Sequence, residues 1–249
     1  MIEVLLSCMH NDVPSLIKRT NITGYGIVIN QCGEDNQYDI GTIKTINTTE
    51  RGLSKSRNMA LRNAKGDICV ICDDDEILDN DYMEKIRLAY KENPSADIIA
   101  FQIQDAGKIY PKQKKKIGYI GALKLASWQL TFRRESIIDC GIIFDESLGS
   151  GVSKAGGEEN LFLYDCLRKG LKILFVPVTI GRMIDGESQW FHGFTPEYFY
   201  DRGIMTRKLM GKMWSSLYAL YFLIFKYREY HNEVGIIKAS SRIFKGIFN

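Results

Sequence analysis

The sequence predicts an α/β protein: a mostly parallel central sheet with helices on both faces, followed by a C-terminal helical appendage that is apolar and basic. Three observations predict it. In the first hundred residues, short β-favouring runs alternate with helical patterns, the rhythm of a parallel sheet whose crossovers are helices. One run, residues 68–72 (ICVIC), is apolar throughout, as a strand covered on both faces must be, and it stops at four consecutive acids, Asp73, Asp74, Asp75 and Glu76. Residues 205–249 hold eight Lys and Arg against two Glu, about +6, although the whole chain sums to +3.

Taken in order, residues 3–8 (EVLLSC) are a first strand, and residues 13–20 a short helix begun at Asn11 or Asp12 with Pro14 in its first turn. Residues 25–32 are a second strand, entering the loop Gly33-Glu34-Asp35-Asn36, and residues 42–47 are a third, weaker one. Residues 50–65 place Leu53, Met59, Ala60 and Ala64 at helical spacing, with Lys55, Arg57 and Arg62 among them. The strand at 68–72 cannot continue through four acids in an apolar core, because each unpaired buried carboxylate is costly. The chain is therefore expected to surface there, at a strand's carboxyl end, where open α/β sheets bind ligands. Hard oxygen ligands packed this closely suit Mg²⁺ or Mn²⁺, especially where a diphosphate supplies further ligands. The bland alternative is an acidic turn capping the next helix.

Residues 82–93 form that helix, closed by Pro94, and residues 97–104 a further strand. Residues 105–121, with Lys108, Lys112, Lys114, Lys115 and Lys116, read as a solvated loop. Order resumes at 130–134, a helix follows at 135–140, and a loop contains Gly149, Gly151, Gly156 and Gly157. Glu158 and Glu159 end this loop and open a helix over 160–169 closed by Gly170; acids in a first turn also suit the helix dipole. Residues 173–176, before Pro177, are the last expected strand.

Beyond residue 185 the composition changes. Trp190, Phe191, Phe194, Tyr198, Phe199 and Tyr200 crowd around His192, and residues 204–230 are apolar and aromatic with flanking Lys and Arg. The unbroken run 214–225 is too short to span a bilayer, which needs roughly 20 residues. It reads as a helix lying in an anionic membrane interface, or as one packed on the core or on a second subunit. The expected division is a domain over 1–203 and a C-terminal region over 204–249. Six scattered cysteines without framework spacing, and no secretory signal in front, lead to the expectation of a reduced, cytoplasmic protein, peripheral at the inner face of the membrane. Cys69 and Cys72, three apart on a strand, point to opposite faces and are not expected to chelate.

Residues 3–178 resemble the inverting family 2 glycosyltransferases of the GT-A fold. The resemblance rests on residues 52–58 leading to Ala64-Lys65-Gly66-Asp67, on Asp73-x-Asp75 with Glu76 behind it, on residues 141–145, and on Gly157-Glu158-Glu159. It implies a metal-dependent enzyme that moves a sugar from a nucleotide donor, UDP-linked by expectation, onto a glycan acceptor. The basic aromatic tail adds the expectation of a lipid-linked acceptor, as in capsule, O-antigen or wall polysaccharide assembly. Carried over, Asp75 is the direct ligand of Mn²⁺ or Mg²⁺, Asp73 a metal or ribose contact, and Asp74 part of the donor site. Asp35 or Glu34 would meet the base, and Arg57 would lie near the diphosphate. The family's Glu-Asp pair contains the catalytic base; here Glu159 follows Glu158, a carboxylate on a longer arm. His192 is a candidate for the metal shell or the phosphates, and Trp128 and Gln129 for acceptor sugar contacts.

Two rivals are kept. A sugar-phosphate nucleotidyltransferase would carry a Gly- and Arg-rich loop after the first strand, where this chain has Ser7-Cys8-Met9-His10-Asn11-Asp12. A non-catalytic membrane-associated scaffold would share the fold without needing Glu159. A glycosidase leaves Asp73 to Glu76 unexplained, and the basic tail lacks the stacking surface of a nucleic-acid binder. A homo-oligomer stays open.

Overall fold

The computed structural model describes residues 1–104, 108–150, 152, 156–184 and 193–249. The chain begins with β1 (Ile2–Met9), α1 (Val13–Thr20), β2 (Tyr25–Gln31), β3 (Asn36–Ile40), β4 (Ile43–Thr48), α2 (Leu53–Asn63), β5 (Ile68–Asp73) and β6 (Glu76–Leu78). It continues with α3 (Tyr82–Glu92), β7 (Ile98–Gln104), β8 (Lys115–Ile117), α4 (Tyr119–Ala122), a tight turn at Ser127–Gln129, β9 (Leu130–Arg133) and α5 (Arg134–Asp139). Then come α6 (Glu158–Arg168), β10 (Ile173–Met183), α7 (Pro196–Phe225), α8 (Tyr227–Tyr230) and α9 (Ile236–Phe248).

The strands form one mixed sheet in the order β3-β4-β2-β1-β5-β9-β7-β10-β6, with β8 also paired to β10. The β4-β2-β1-β5 block and the β7-β10 pair are parallel. Short antiparallel strands fill the gaps and edges. Period-two alternation divides each central strand between two cores. Leu5, Cys69 and Ile71 face the layer of α2, α5 and α6, with Ala60, Ile137 and Phe162. Val4, Leu6, Val70 and Cys72 face α1 and α3, with Leu16, Tyr82 and Ile86. Cys69 and Cys72 thus lie on opposite faces of the sheet. The start of α1 follows its sequence: the Asp12 carboxylate accepts from Ser15 N at 3.2 Å, and Pro14 occupies the first turn.

The structure departs from the sequence expectations at several points. β3, a polar stretch that pairs antiparallel to β4 at the sheet edge, begins at the last residue of the expected loop 33–36 and was given no element from the sequence. β8 lies inside the lysine-rich stretch, paired with β10 through Lys115, Lys116 and Ile117. β10 does not stop before Pro177 but runs on to Met183, with shifts of register between Phe175 and Thr179, where a proline is tolerated. The chain surfaces only in part at the four acids. It turns at Asp74 and Asp75 and re-enters as β6, antiparallel to β10, and Glu76 is completely buried.

At the C-terminus α7 crosses the expected 203/204 division, and its helical geometry breaks at Gly211, φ 73°. Phe199, Phe222, Tyr230, Ala239, Ile243 and Ile247 make a third core between α7, α8 and α9. Backbones touch at the α7–α9 crossing: a Cβ on Gly203 would overlap the Ile243 carbonyl, and one on Gly246 the Tyr200 carbonyl. No helix among the described residues is long and apolar enough to cross a membrane.

Candidate active site

The carboxyl ends of β1, β2, β4 and β5 open onto one edge of the sheet, and the acids expected from sequence gather there with α2 and the start of α6. Their organiser is Arg57. It lies on α2 with a side chain only 2% exposed; Nη2 meets Asp73 Oδ1 at 3.0 Å and Nη1 meets Glu158 Oε1 at 3.0 Å. Burial opposes the guanidinium charge, but Asp73, Glu158 and Glu159 outweigh it and raise its pKa. Its plane also lies against the Phe144 ring, 5.6 Å to the centroid. Arg57 therefore joins the end of β5 to the start of α6, and its fork is spent on those two carboxylates rather than held free for a diphosphate. The other Asp73 oxygen, Oδ2, accepts from Ser127 Oγ at 3.0 Å, so both oxygens are engaged and Asp73 anchors its motif.

Glu159 stands one residue beyond this bridge, in the first turn of α6, and is partly exposed. Burial, and then the negative charge of Glu158, push its pKa up to about 8, with Arg57 pulling the other way. The backbone ahead of it is held by packing. Gly157 has φ 96°, and a Cβ there would sit 2.8 Å from Met205 Cγ of α7. On the preceding segment, Asn58 exchanges hydrogen bonds with Phe144 O and N at 2.9 and 2.8 Å, and Lys208 of α7 meets Asp145 at 2.6 Å.

The other three acids of the tetrad part ways. Asp74 accepts from Asn11 Nδ2 at 3.2 Å, while Arg19 donates to its carbonyl at 3.1 Å, which ties the turn to α1. Asp75 is the exposed one, and no described side chain pairs with it. Surrounding protein, then Asp73 and Asp74, push its carboxyl up, an arrangement relieved by a cation. Glu76 is 0% exposed and neither carboxyl oxygen has a hydrogen-bond partner; burial, then the charge of Asp73, push its pKa well above the ordinary carboxylate value. Among the described residues no group of three or more His, Cys, Asp or Glu could hold a metal ion. The residues present fit a divalent cation that takes Asp75 from the protein and further oxygens from a bound diphosphate. His192 lies outside the described residues.

At the far end, Asp35 accepts from Thr49 N at 2.7 Å and Thr49 Oγ1 at 2.9 Å, and these bonds lower its pKa. Glu34 accepts from Asn47 Nδ2 at 3.3 Å. Behind them Asn30 donates to Asn47 Oδ1 at 3.1 Å, and Gln31 accepts from Gly52 N at 2.7 Å. These buried amides at strand ends were missed in the sequence. Polar residues closing the apolar runs of residues 25–31 and 43–48 were the available signal.

On the opposite side, Gln129 is 1% exposed and saturated internally: Nε2 donates to Phe101 O, and Oε1 accepts from Ala126 N and Lys108 Nζ. These bonds turn the amide inward, away from the surface where an acceptor sugar contact was expected. Trp128 stays partly exposed, with Lys108 Nζ 4.5 Å from its ring centroid. Lys108, expected as a solvated loop cation, instead turns inward, donating to Gln129 Oε1 at 3.0 Å and Lys124 O at 3.1 Å. Burial lowers its pKa to about 8, against the pull of Glu159.

Residues 27–148 match the model of Glycosyl transferase family 2. No curated protein matches significantly. Among solved structures, Staphylococcus aureus TarS residues 1–349 in complex with UDP-GlcNAc superposes with a TM-score of 0.64 at 14% identity, over 93% of this chain and 74% of that one. TarS 1–349 alone gives 0.63 at 12% identity, over 99% and 90%. The mannosyltransferase PcManGT from Pyrobaculum calidifontis, in complex with GDP-Man and Mn²⁺, gives 0.55 at 14% identity, over 98% and 73%. With the motif order, the sheet topology and the matched segment in agreement, residues 27–148 are a family 2 glycosyltransferase segment, and the chain has the GT-A fold of these structures.

Proposed function

We propose that this glycosyltransferase moves a sugar from a UDP-linked donor to a hydroxyl of a glycan acceptor in one displacement, with inversion at the anomeric carbon and Glu159 as general base. The observation that carries the reading is the state of Glu159: a partly open carboxyl in a first helical turn, locked in place through Glu158 and Arg57, with its pKa raised to about 8. A base tuned near neutral pH accepts the acceptor's proton as the hydroxyl attacks, a contribution of roughly 10²–10⁴-fold. Asp75 would hold the divalent cation, which when bound neutralises charge developing on the departing diphosphate. Asp73, fixed by Arg57 and Ser127, keeps the turn bearing Asp75 rigid. Asp35, Glu34 and the Asn30–Asn47 pair form the polar end proposed for the nucleoside. Trp128 offers the remaining surface of its ring to the acceptor. The UDP and UDP-GlcNAc complexes of TarS support the donor class, and the Mn²⁺ in PcManGT supports the cation.

The test is thermal melting of the full chain with UDP-, GDP-, dTDP- and CMP-sugars, each with Mn²⁺ and with chelator. A donor at 100 times its dissociation constant adds about 2.7 kcal/mol, roughly 5–11 °C for a chain of this size. The expected result is a Mn²⁺-dependent rise with UDP-sugars that is absent in Asp75→Ala and kept in Glu159→Gln, which transfers no sugar. A shift with no nucleotide, or one untouched by Asp75→Ala, sinks the reading.

A further inference from the structure

We propose that the second half of α7, together with α9, is a docking surface for an anionic lipid membrane, joined through the first half of α7 to the start of α6. Beyond the break at Gly211 the helix turns a continuous apolar stripe to solvent. Met213, Trp214, Leu217, Leu220, Tyr221, Ile224 and Phe225 recur at helical spacing, with Trp214 59%, Ile224 63% and Phe225 71% exposed. The opposite face, with Ala219, Phe222 and Leu223, is what α7 buries against α8 and α9. On α9, Ile237 at 85% and Phe248 at 58% are exposed apolar side chains as well. A patch of this kind is rare on a monomer that meets only water.

Charge decides what covers it. Lys212, Arg228, Lys238, Arg242 and Lys245 border these helices, and none makes an ion pair with any described residue. The two acids of residues 205–249 are already engaged, Glu229 with Lys226 and Glu233 with the Phe194 amide. A second copy placed stripe to stripe by a two-fold axis would set these cations against their own counterparts. Anionic headgroups neutralise them while the stripe enters the acyl boundary, and no described helix is long and apolar enough to go further.

The surface is continuous with the site. The first half of α7 supplies Met205, packed on Gly157 just before the acid pair, and Lys208, bonded to Asp145 and Ser147. Both halves of α7 pack into the third core, so a membrane holding the second half also orients Gly157 and the acid pair at the start of α6 relative to the bilayer. This inference does not rest on the donor chemistry.

The experiment is flotation of the full chain with vesicles of phosphatidylcholine alone and with about one-third phosphatidylglycerol, for wild type, Trp214→Glu/Phe225→Glu and Lys238→Glu/Lys245→Glu. The expected result is recovery with the anionic vesicles only, reduced at least about tenfold in both variants and weakened by salt. All three proteins should share one melting temperature, since the changed side chains are exposed. Equal flotation of wild type and Trp214→Glu/Phe225→Glu, or no flotation of wild type, overturns the proposal. A dimer by light scattering that Trp214→Glu/Phe225→Glu dissociates, without vesicle binding, overturns it in favour of a subunit interface. Flotation is read without turnover, so an inactive but floating protein refutes the catalytic reading alone.

Discussion

Replacing Arg57 by methionine removes the one cation between Asp73 and Glu158 while keeping the volume of the side chain. Breaking a buried ion pair from one side costs about 3–5 kcal/mol, because the partner is left charged and desolvated. Two carboxylates lose their partner here, but not equally. Glu158 is 8% exposed and has no other cation among the described residues, whereas Asp73 is 22% exposed and keeps Ser127. Water and the hydroxyl relieve Asp73, so the lower part of the range applies, about 3–4 kcal/mol, or a fall in melting temperature of roughly 6–16 °C. Urea unfolding reads it as a lower midpoint at unchanged slope. Arg57→Lys keeps a charge but not the fork, and can satisfy only one carboxylate well, so it should fall between. The site also responds: without the guanidinium, Glu159 loses the nearest positive charge that lowers its pKa, and the pH–activity limb moves to higher pH. An Arg57→Met protein within about 1 kcal/mol of wild type, with an unmoved pH profile, would refute the bridge as the organiser of the site.

Glu159 is raised from 4.5 to about 8, so its contribution to stability is present below pH about 4.5 and is lost as pH rises through about 8. Glu159→Gln should remove that slope from a pH series of urea midpoints, while wild-type turnover climbs toward pH 8 as the base is freed. Lys108→Met deletes an ammonium that burial disfavours, so stability at pH 7 should hold or rise. Turnover should drop roughly tenfold, since a cation facing Glu159 is worth about 1–2 kcal/mol; unchanged turnover makes Lys108 a packing residue only. Gly246→Ala drives a methyl into the Tyr200 carbonyl across the α7–α9 crossing and should cost about 3 kcal/mol, with the donor-induced melting shift retained; a silent substitution would show that the helices do not touch there.

Legibility followed the range of the forces involved. The alternation that sends Leu5 to one core and Leu6 to the other is written in consecutive residues, as is the Asp12 cap of α1, and both could be read locally. Glu76 could not. Its burial depends on β6 pairing with β10, which lies a hundred residues on, and four acids in a row gave no sign that the last would be a fully buried core residue. Lys108 shows the reverse case: a cation in a lysine-rich stretch is solvated by default, and only the packed Gln129 oxygen and the Trp128 ring draw it inward. Gln129 looked like a free amide for the same reason. Arg57 was legible as a site residue but not in its role, because its partners on β5 and α6 come from segments sixteen and a hundred and one positions away.

The charge around Arg57 bears directly on how a donor could enter. One guanidinium faces Asp73, Glu158 and Glu159, and Asp74 and Asp75 add to the negative side on the exposed turn. Protonation of Glu159 relieves part of this, and Lys108 and Arg19 stand at the margins, yet Asp73 and Glu158 alone already outweigh the one guanidinium between them. A diphosphate approaching this edge meets net repulsion unless a cation arrives with it, and at an effective dielectric of about 20 neighbouring like charges oppose each other by several kcal/mol. On the proposed reading, the same acids that make the apo site hostile to a diphosphate make it receptive to a divalent ion at Asp75. On that reading, metal dependence would have an electrostatic origin in these acids. Donor binding in the presence of chelator should recover when Asp74 and Asp75 are both changed to Asn, even as transfer is lost; failure of that rescue would mean that repulsion is not what the cation overcomes.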